Sequence, residues 1–171
     1  EYLFCYRCEK EHVELKEQID EHKKVIFGLR PCDARSFLLL DNVFRNERFQ
    51  DPYYLTRRKN TVLVGLGCNQ PPATCFCTSL GSGPFATEGL DLLLVDIGDR
   101  YVLEVLTERG QELLSGMELP AADQEAREAA QKVKEGAAVS SRVTLEGLKS
   151  KLDVSFDHPL WDLIHEKCLG C

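Results

Sequence analysis

The sequence predicts an α/β fold: a small, mostly parallel sheet with flanking helices, a β-hairpin and a C-terminal helical segment. Two compact apolar runs predict buried strands, K-K-V-I-F-G-L-R at 23–30 and T-V-L-V-G-L-G at 61–67. Helical patterning lies between them, which favours two parallel neighbouring strands. A Gly-Asp pair at 98–99 is flanked by two further apolar runs and predicts a hairpin.

Composition limits the classes of protein to consider. The chain has 171 residues, of which 43% are hydrophobic, enough for one domain with a real core and a small appendage. It contains no apolar run of about 18 residues, so no membrane span is expected. The net charge of −7 argues against binding to a phosphate backbone, so nucleic acid is not an expected partner.

The first half of the chain predicts five elements in order. Residues 9–23 are polar and predict a solvated helix or a connector. Pro31-Cys32-Asp33 ends the first strand, and Asp33 is placed to cap a helix. A short helix and a loop are expected over 45–60, before the second strand. The apolar face of the helix after Asp33 is predicted to comprise Phe37, Leu38, Leu40 and Phe44.

The second half predicts mostly helix. Residues 122–138 have strong helical propensity, but their apolar content is mostly alanine, so light packing is expected. Residues 143–152 predict an amphipathic helix with a capping box at Thr144. A last helix is expected over 158–171, with Pro159 in its first turn.

These elements divide the chain into three parts. Residues 1–23 form a polar N-terminal segment, 24–118 an α/β core that contains the main cysteine cluster, and 119–171 a helical segment. The chain begins at a residue other than Met and stops directly after C-L-G-C, so we expect a fragment of a longer protein. No secretory signal is visible.

The cysteines are the residues that point to chemistry. Cys32 and Cys68 each follow a predicted strand, and Cys75 and Cys77 follow within ten residues of Cys68. If the two strands are parallel neighbours, Cys32 and Cys68 emerge at the same edge of the sheet, where open α/β sheets place their sites. Neighbours spaced as C-x-C are poor disulfide partners and common metal ligands.

Four thiolates at one edge suit structural zinc or an iron–sulfur cluster. The spacing C-x6-C-x-C is not a zinc knuckle, so it favours a 4Fe-4S cluster, with a 2Fe-2S cluster or zinc as alternatives. A zinc-stabilised interaction domain therefore stays open, as does plain core packing of Cys32. A third alternative is an enzyme whose small-molecule pocket, lined by polar groups and free thiols, lies near Asp33, Asn69 and the G-S-G-P turn at 81–84.

Two further cysteine pairs lie near the ends of the chain. Cys168 and Cys171 have the spacing that opens a bacterial-type ferredoxin motif, C-x-x-C-x-x-C-x-x-x-C-P. Cys5 and Cys8 form another C-x-x-C. A thioredoxin-like role would require this pair to open a helix after a strand, which the polar residues that follow do not predict.

Three blocks of sequence together resemble a known family. They are G-L-R-P-C-D at 28–33, T-V-L-V-G-L-G-C-N-Q-P-P-A-T-C-F-C-T-S-L-G-S-G-P at 61–84, and W-D-L-I-H-E-K-C-L-G-C at 161–171. They resemble the beta subunit of cytoplasmic nickel–iron sulfhydrogenases and are similar to the corresponding iron–sulfur component of anaerobic sulfite reductase. Both are electron-transfer proteins with a 4Fe-4S dicluster domain. The resemblance covers residues 24–171.

The resemblance implies a cytoplasmic electron-transfer component of a multi-subunit oxidoreductase that has no catalytic residues of its own. It would relay electrons between a diaphorase-like partner, which handles flavin and nicotinamide, and a catalytic subunit. The family pattern matches Cys32, Cys68, Cys75 and Cys77 residue by residue and implies that they ligate one cluster. It also implies that Cys168 and Cys171 belong to a cluster of the ferredoxin-like domain that follows in the family.

Overall fold

The structure of the chain is a computed structural model that describes residues 4–9, 12–17, 19–139 and 143–168. A four-stranded sheet lies at its centre, in the order β3-β4-β5-β6. Strands β3 (Lys24–Leu29), β4 (Thr61–Leu66) and β5 (Leu92–Asp96) are parallel, and β6 (Tyr101–Val105) is antiparallel to β5. The predicted α/β class, the parallel pairing and the hairpin around Gly98 are confirmed.

The described ranges also contain six helices. Helices α1 (Pro31–Phe44) and α2 (Pro52–Lys59) connect β3 to β4, and α3 (Glu108–Leu113) follows β6. The others are α4 (Gln124–Gly136), α5 (Leu148–Val154) and α6 (Leu160–Lys167). No helix in the described part of the chain is long and apolar enough to cross a membrane.

Two clusters of buried side chains lie on one face of the sheet. Ala34 of α1 packs with Leu63 of β4 and Leu93 of β5, and each of these three residues is fully buried. Leu93 and Val95 share a face because they are two residues apart in one strand. Val95 packs against α4, and the Phe85 ring contacts both clusters. Helices α1 and α4 therefore cover the same face.

The prediction that α4 would pack lightly is wrong. Ala126 and Ala130 are buried against Val95 and Val102 of the β5–β6 hairpin. Alanine offers little apolar area, but its small side chain lets a helix approach a sheet closely. Asp123 begins the helix, and its side chain accepts a hydrogen bond from the amide of Ala126 at 2.7 Å.

A hairpin replaces the predicted helix or connector near the start. Strand β1 (Phe4–Glu9) pairs antiparallel with β2 (His12–Glu17), and Val13 and Leu15 are exposed although they share one face. The alternation of these two residues was the available signal. It is outweighed by charged residues, whose intrinsic propensity favours helix or linker.

Other differences concern exposure and helix starts. Strand β3 is an edge strand, and Phe27 is 72% exposed. The prediction that the strand over 23–30 is buried is therefore wrong. Helix α1 begins at Pro31, which places Asp33 in its first turn rather than at the cap. Helix α5 begins after Gly147, which adopts a left-handed conformation, and not at Thr144. On the predicted apolar face of α1, Phe37 packs on the core but Leu38 and Leu40 are exposed.

Asp91 ties three elements together and was not singled out from the sequence. It is 1% exposed, and its carboxylate accepts hydrogen bonds from the amide of Leu63 at 2.9 Å and the hydroxyl of Thr107 at 2.6 Å. Arg109 lies 3.2 Å from the same carboxylate. A Cβ on Gly110 would collide with the Asp91 carbonyl, so α3 approaches β5 as closely as only glycine permits.

Candidate metal centre

Two strand ends place the first two thiols of the site. Cys32 lies in the first turn of α1, directly after β3, and Cys68 follows β4 by two residues. Because β3 and β4 are parallel neighbours, their carboxyl ends lie at the same edge. The predicted common edge for these two residues is therefore confirmed.

The loop after β4 brings in the other two thiols. The amide of Cys68 donates to the Pro84 carbonyl at 3.0 Å, which closes the loop at its base. Cys75 donates from its amide to the Pro72 carbonyl at 2.9 Å, and Cys77 starts a single 3-10 turn that ends at Leu80. These local bonds satisfy backbone groups that would otherwise need another partner.

Three contacts fix this loop to the body of the domain. Arg35 of α1 donates to the carbonyl of Leu80 at 2.6 Å. Asn69 donates from its side-chain amide to the carbonyl of Asp96, at the end of β5, at 2.7 Å. A Cβ on Gly67 would collide with the Phe85 ring, so the end of β4 passes directly over that ring. The loop is thus attached to α1, β5 and the core.

All four predicted cysteines line one cavity of about 380 Å³. This volume is about thirteen times the share of one liquid water, about 30 Å³, and so exceeds what a single ion needs. The lining is mainly apolar, with Thr74 as its hydroxyl-bearing residue. It comprises Pro31, Cys32, Cys68, Pro71, Thr74, Cys75, Phe76, Cys77, Leu80, Gly83 and Pro84.

The four thiols are close enough to influence each other electrostatically. Burial raises the pKa of Cys68, the charge of Arg30 lowers it, and Cys32, Cys75 and Cys77 raise it further. Such mutual repulsion between thiolates is the property that a bound cationic metal centre relieves. The four residues therefore form an electrostatic unit in addition to lining the same space.

Opposing influences act on the pKa of the Cys32 thiol. Burial raises its pKa, and the neighbouring Asp33 carboxylate, 3.9 Å from the sulfur, raises it as well. The backbone N–H groups of Cys32 and Asp33 act in the opposite direction. They belong to the first turn of a 14-residue helix, where the helix dipole favours negative charge.

The donor set and the cavity fit an iron–sulfur cluster. Thiolates are the ligands of such clusters, and a mainly apolar shell controls solvent access and potential. Within the described ranges, no group of three or more His, Cys, Asp or Glu side chains is arranged to hold one ion. A zinc ion would need all four sulfurs at about 2.3 Å from one centre, whereas a cluster holds its cysteines further apart.

The cavity does not resemble the polar pocket of the enzyme alternative. Its walls are proline, aromatic and aliphatic groups with thiols, and neither Asp33 nor Asn69 is among the described residues that line it. Those residues include no carboxylate, imidazole or amide side chain, which acid, base or oxyanion chemistry would use.

The remaining cysteines lie elsewhere. Cys168 follows α6 and lines a separate groove with Leu160, Leu163, Ile164 and Lys167, while Cys171 is outside the described residues. Cys5 and Cys8 are both exposed on β1. They are three residues apart in a strand, so their side chains leave opposite faces. A thioredoxin-like pair would instead open a helix, so this pair does not have that geometry.

Sequence reasoning missed two arginines that support the site. Arg30 bonds to the end of β4, and Arg35 holds the turn that begins at Cys77. The available signal was their position in the sequence. Arg30 directly precedes Pro31-Cys32, and Arg35 lies about one helical turn after Cys32.

The chain is homologous to a curated hydrogenase subunit. It is 34% identical over 163 residues to "Sulfhydrogenase 2 subunit beta" of Pyrococcus furiosus. The alignment covers 92% of this chain and 48% of that protein, so the chain spans about half the length of its relative. The predicted resemblance to the sulfhydrogenase beta subunit is thereby confirmed. The chain matches no protein-family profile and no solved structure.

Proposed function

We propose that this chain is an iron–sulfur electron-transfer module of an oxidoreductase, in which Cys32, Cys68, Cys75 and Cys77 ligate one 4Fe-4S cluster. The observation that carries the proposal is that these four thiols, from α1 and from the loop after β4, line one mainly apolar cavity. When bound, the cluster supplies one-electron redox chemistry. The protein's part is to hold four thiolates, to limit access of water and to keep the centre near the surface.

The homologue supports the proposal that this chain works with partner subunits. A sulfhydrogenase beta subunit has partner subunits by its name. We therefore propose that this chain relays electrons between a diaphorase-like partner and a catalytic subunit, in the cytoplasm. We also propose that residues 24–118 form the module, with 119–171 leading to a further cluster domain that uses Cys168 and Cys171.

Metal analysis tests the first proposal. The chain would be purified anaerobically, and iron, sulfide and zinc would be measured on one sample together with its visible spectrum. Four irons and four sulfides per chain are expected, with a broad absorption band that bleaches on reduction. One zinc and no colour would instead support the zinc-stabilised domain, and two irons a 2Fe-2S centre.

Two variants assign the ligands. Cys75→Ser is expected to lose the cluster and to loosen the loop over 68–84, because one of four thiolates is gone. Cys8→Ser removes an exposed thiol from β1 and is the matched control, with unchanged iron content. Full iron content and unchanged stability of Cys75→Ser would show that the ligand set is wrong.

A further inference from the structure

Arg30 lies in the turn between β3 and α1, two residues before Cys32. Its Nη1 donates to the carbonyl of Gly67 at 3.0 Å and is 3.5 Å from the carbonyl of Leu66. Leu66 is the last residue of β4, and Gly67 lies between it and Cys68. One guanidinium therefore joins the ends of the two strands that deliver Cys32 and Cys68.

The charge of Arg30 also reaches the site. It is held two residues before Cys32, and the Gly67 carbonyl that it contacts directly precedes Cys68. The Asp33 carboxylate, of opposite charge, lies 3.9 Å from the sulfur of Cys32. Arg35, the other arginine of this region, is directed to the Leu80 carbonyl. The cysteine site is thus flanked by a positive group on its Cys68 side and a negative group on its Cys32 side.

The sign of the effect on electron transfer follows from charge alone. A centre with four thiolate ligands becomes one unit more negative when it accepts an electron. A fixed positive charge nearby stabilises the reduced form more than the oxidised form and so raises the reduction potential. This holds for either kind of iron–sulfur centre, because only the change in charge enters.

We propose that Arg30 is the positioning residue that raises the reduction potential of the centre held by Cys32, Cys68, Cys75 and Cys77. Its hydrogen bonds to the carbonyls of Leu66 and Gly67 keep its charge fixed beside Cys68. This inference rests on the proposed function and adds to it a residue that raises the reduction potential of the centre.

Three variants test the proposal in the full 171-residue chain, reconstituted anaerobically. Arg30→Gln removes the charge, Arg30→Lys keeps it, and Arg48→Gln removes an equal charge elsewhere. Arg48 is exposed beyond the far end of α1, a helix whose 14 residues span about 21 Å. Redox titration followed by the visible spectrum and by electron paramagnetic resonance gives each potential.

Arg30→Gln is expected to shift the potential in the negative direction. At a fixed ambient potential, the ratio of reduced to oxidised chain should fall several-fold; a tenfold fall corresponds to about 59 mV for one electron. Arg30→Lys and Arg48→Gln should stay near the unmodified chain. The Arg30→Gln shift should also shrink between about 0.01 M and about 1 M salt, because the screening length falls from about 30 to about 3 Å.

Several outcomes would overturn the proposal. One is an unchanged potential in Arg30→Gln at full iron content. Another is an equal shift in Arg48→Gln. A third is a shift in Arg30→Gln that does not depend on salt concentration. Loss of the centre in both Arg30→Gln and Arg30→Lys would make Arg30 a structural support only. Loss in Arg30→Gln alone, with a native potential in Arg30→Lys, would support the need for charge. An unmodified chain without iron would overturn the proposed function instead.

Discussion

Tyr54 shows how one side chain links two helices through a charge. Its hydroxyl donates to the Asp41 carboxylate of α1 at 2.7 Å, and its ring stacks on Phe44 with centroids 4.6 Å apart. Burial, together with the bond to Asp41, raises the pKa of Tyr54 from 10.0 to about 12. The neutral phenol is therefore the form that the folded chain favours.

This shift predicts an alkaline loss of stability. The unfolded chain releases the phenol proton near pH 10 and the folded chain only near pH 12. The contribution of Tyr54 is thus complete below pH 10 and is lost as the pH rises towards 12. Tyr54→Phe should lower the free energy of unfolding by about 1–3 kcal/mol at about pH 8, with a smaller deficit at about pH 11.

Urea unfolding at both pH values checks this expectation. Tyr53→Phe, at the neighbouring position of the same helix, is the matched control and should show no such change with pH. A deficit for Tyr54→Phe that is equal at the two pH values would contradict the prediction.

Asp33 offers a residue-scale test with a sign opposite to that of Arg30. Its carboxylate lies 3.9 Å from the sulfur of Cys32 and adds negative charge there. Asp33→Asn should therefore shift the reduction potential of the reconstituted centre in the positive direction. The titration that measures Arg30→Gln measures this variant too. Asp157→Asn, an exposed position before α6, should leave the potential unchanged; a negative shift in Asp33→Asn would refute the electrostatic account.

Among the elements, β5 depends on the buried carboxylate of Asp91. An amide at this position retains the shape but presents N–H groups where the carboxylate now accepts bonds from Leu63 and Thr107. Asp91→Asn should cost about 1–3 kcal/mol, because it leaves a buried donor without its acceptor. Asp99→Asn, at the exposed tip of the β5–β6 hairpin, should change stability by less than about 0.5 kcal/mol. Urea midpoints that are equal for the two variants would contradict this view.

Helix α4 tests close packing in the same way. Ala130 is 4% exposed against the β5–β6 hairpin, so Ala130→Leu forces extra volume into a filled space and should cost about 1–3 kcal/mol. Ala129→Leu, one position along and less buried, is the control and should cost little. Thermal unfolding distinguishes them, and equal midpoints would mean that α4 can move outward without loss.

The sequence predicts those parts of the fold that depend on neighbouring residues better than those that depend on contacts between distant residues. The strands β3 and β4 and the hairpin around Gly98 are local patterns, and they were predicted. The β1–β2 pairing was missed because Val13 and Leu15 are too few to outweigh the charged residues around them. The burial of the α4 alanines depends on a partner surface distant in sequence. The grouping of the four cysteines was predictable because parallel strands end at the same edge. The contact from Arg30 to Gly67 was not, because it depends on which residues of β3 and β4 pair.

At the scale of the whole molecule, the sheet has an open side. Strand β3 pairs on one edge only within the described residues, and Val25, Phe27, Leu39 and Val43 are all substantially exposed on β3 and the adjoining α1. Edge strands with apolar side chains are templates for association. Phe27→Lys should therefore lower concentration-dependent self-association with a stability change within about 0.5 kcal/mol.

Sedimentation over a range of concentrations measures this effect. Phe49→Lys changes a residue with similar exposure, 55%, in the turn after α1 and serves as the control. If the unmodified chain stays monomeric at every concentration, or if both variants behave alike, the edge strand is not a site of association.

The separation of Cys32 from the other three thiols has a consequence for how the protein matures. During synthesis Cys32 leaves the ribosome well before Cys68, Cys75 and Cys77, with two helices and a strand still to be made between them. A nascent chain can offer three thiols from one short segment, but the fourth arrives only when β3 and β4 are paired. If these four cysteines ligate one cluster as proposed, its insertion must follow the pairing of β3 with β4, and a chain that fails to build its sheet never presents all four ligands together.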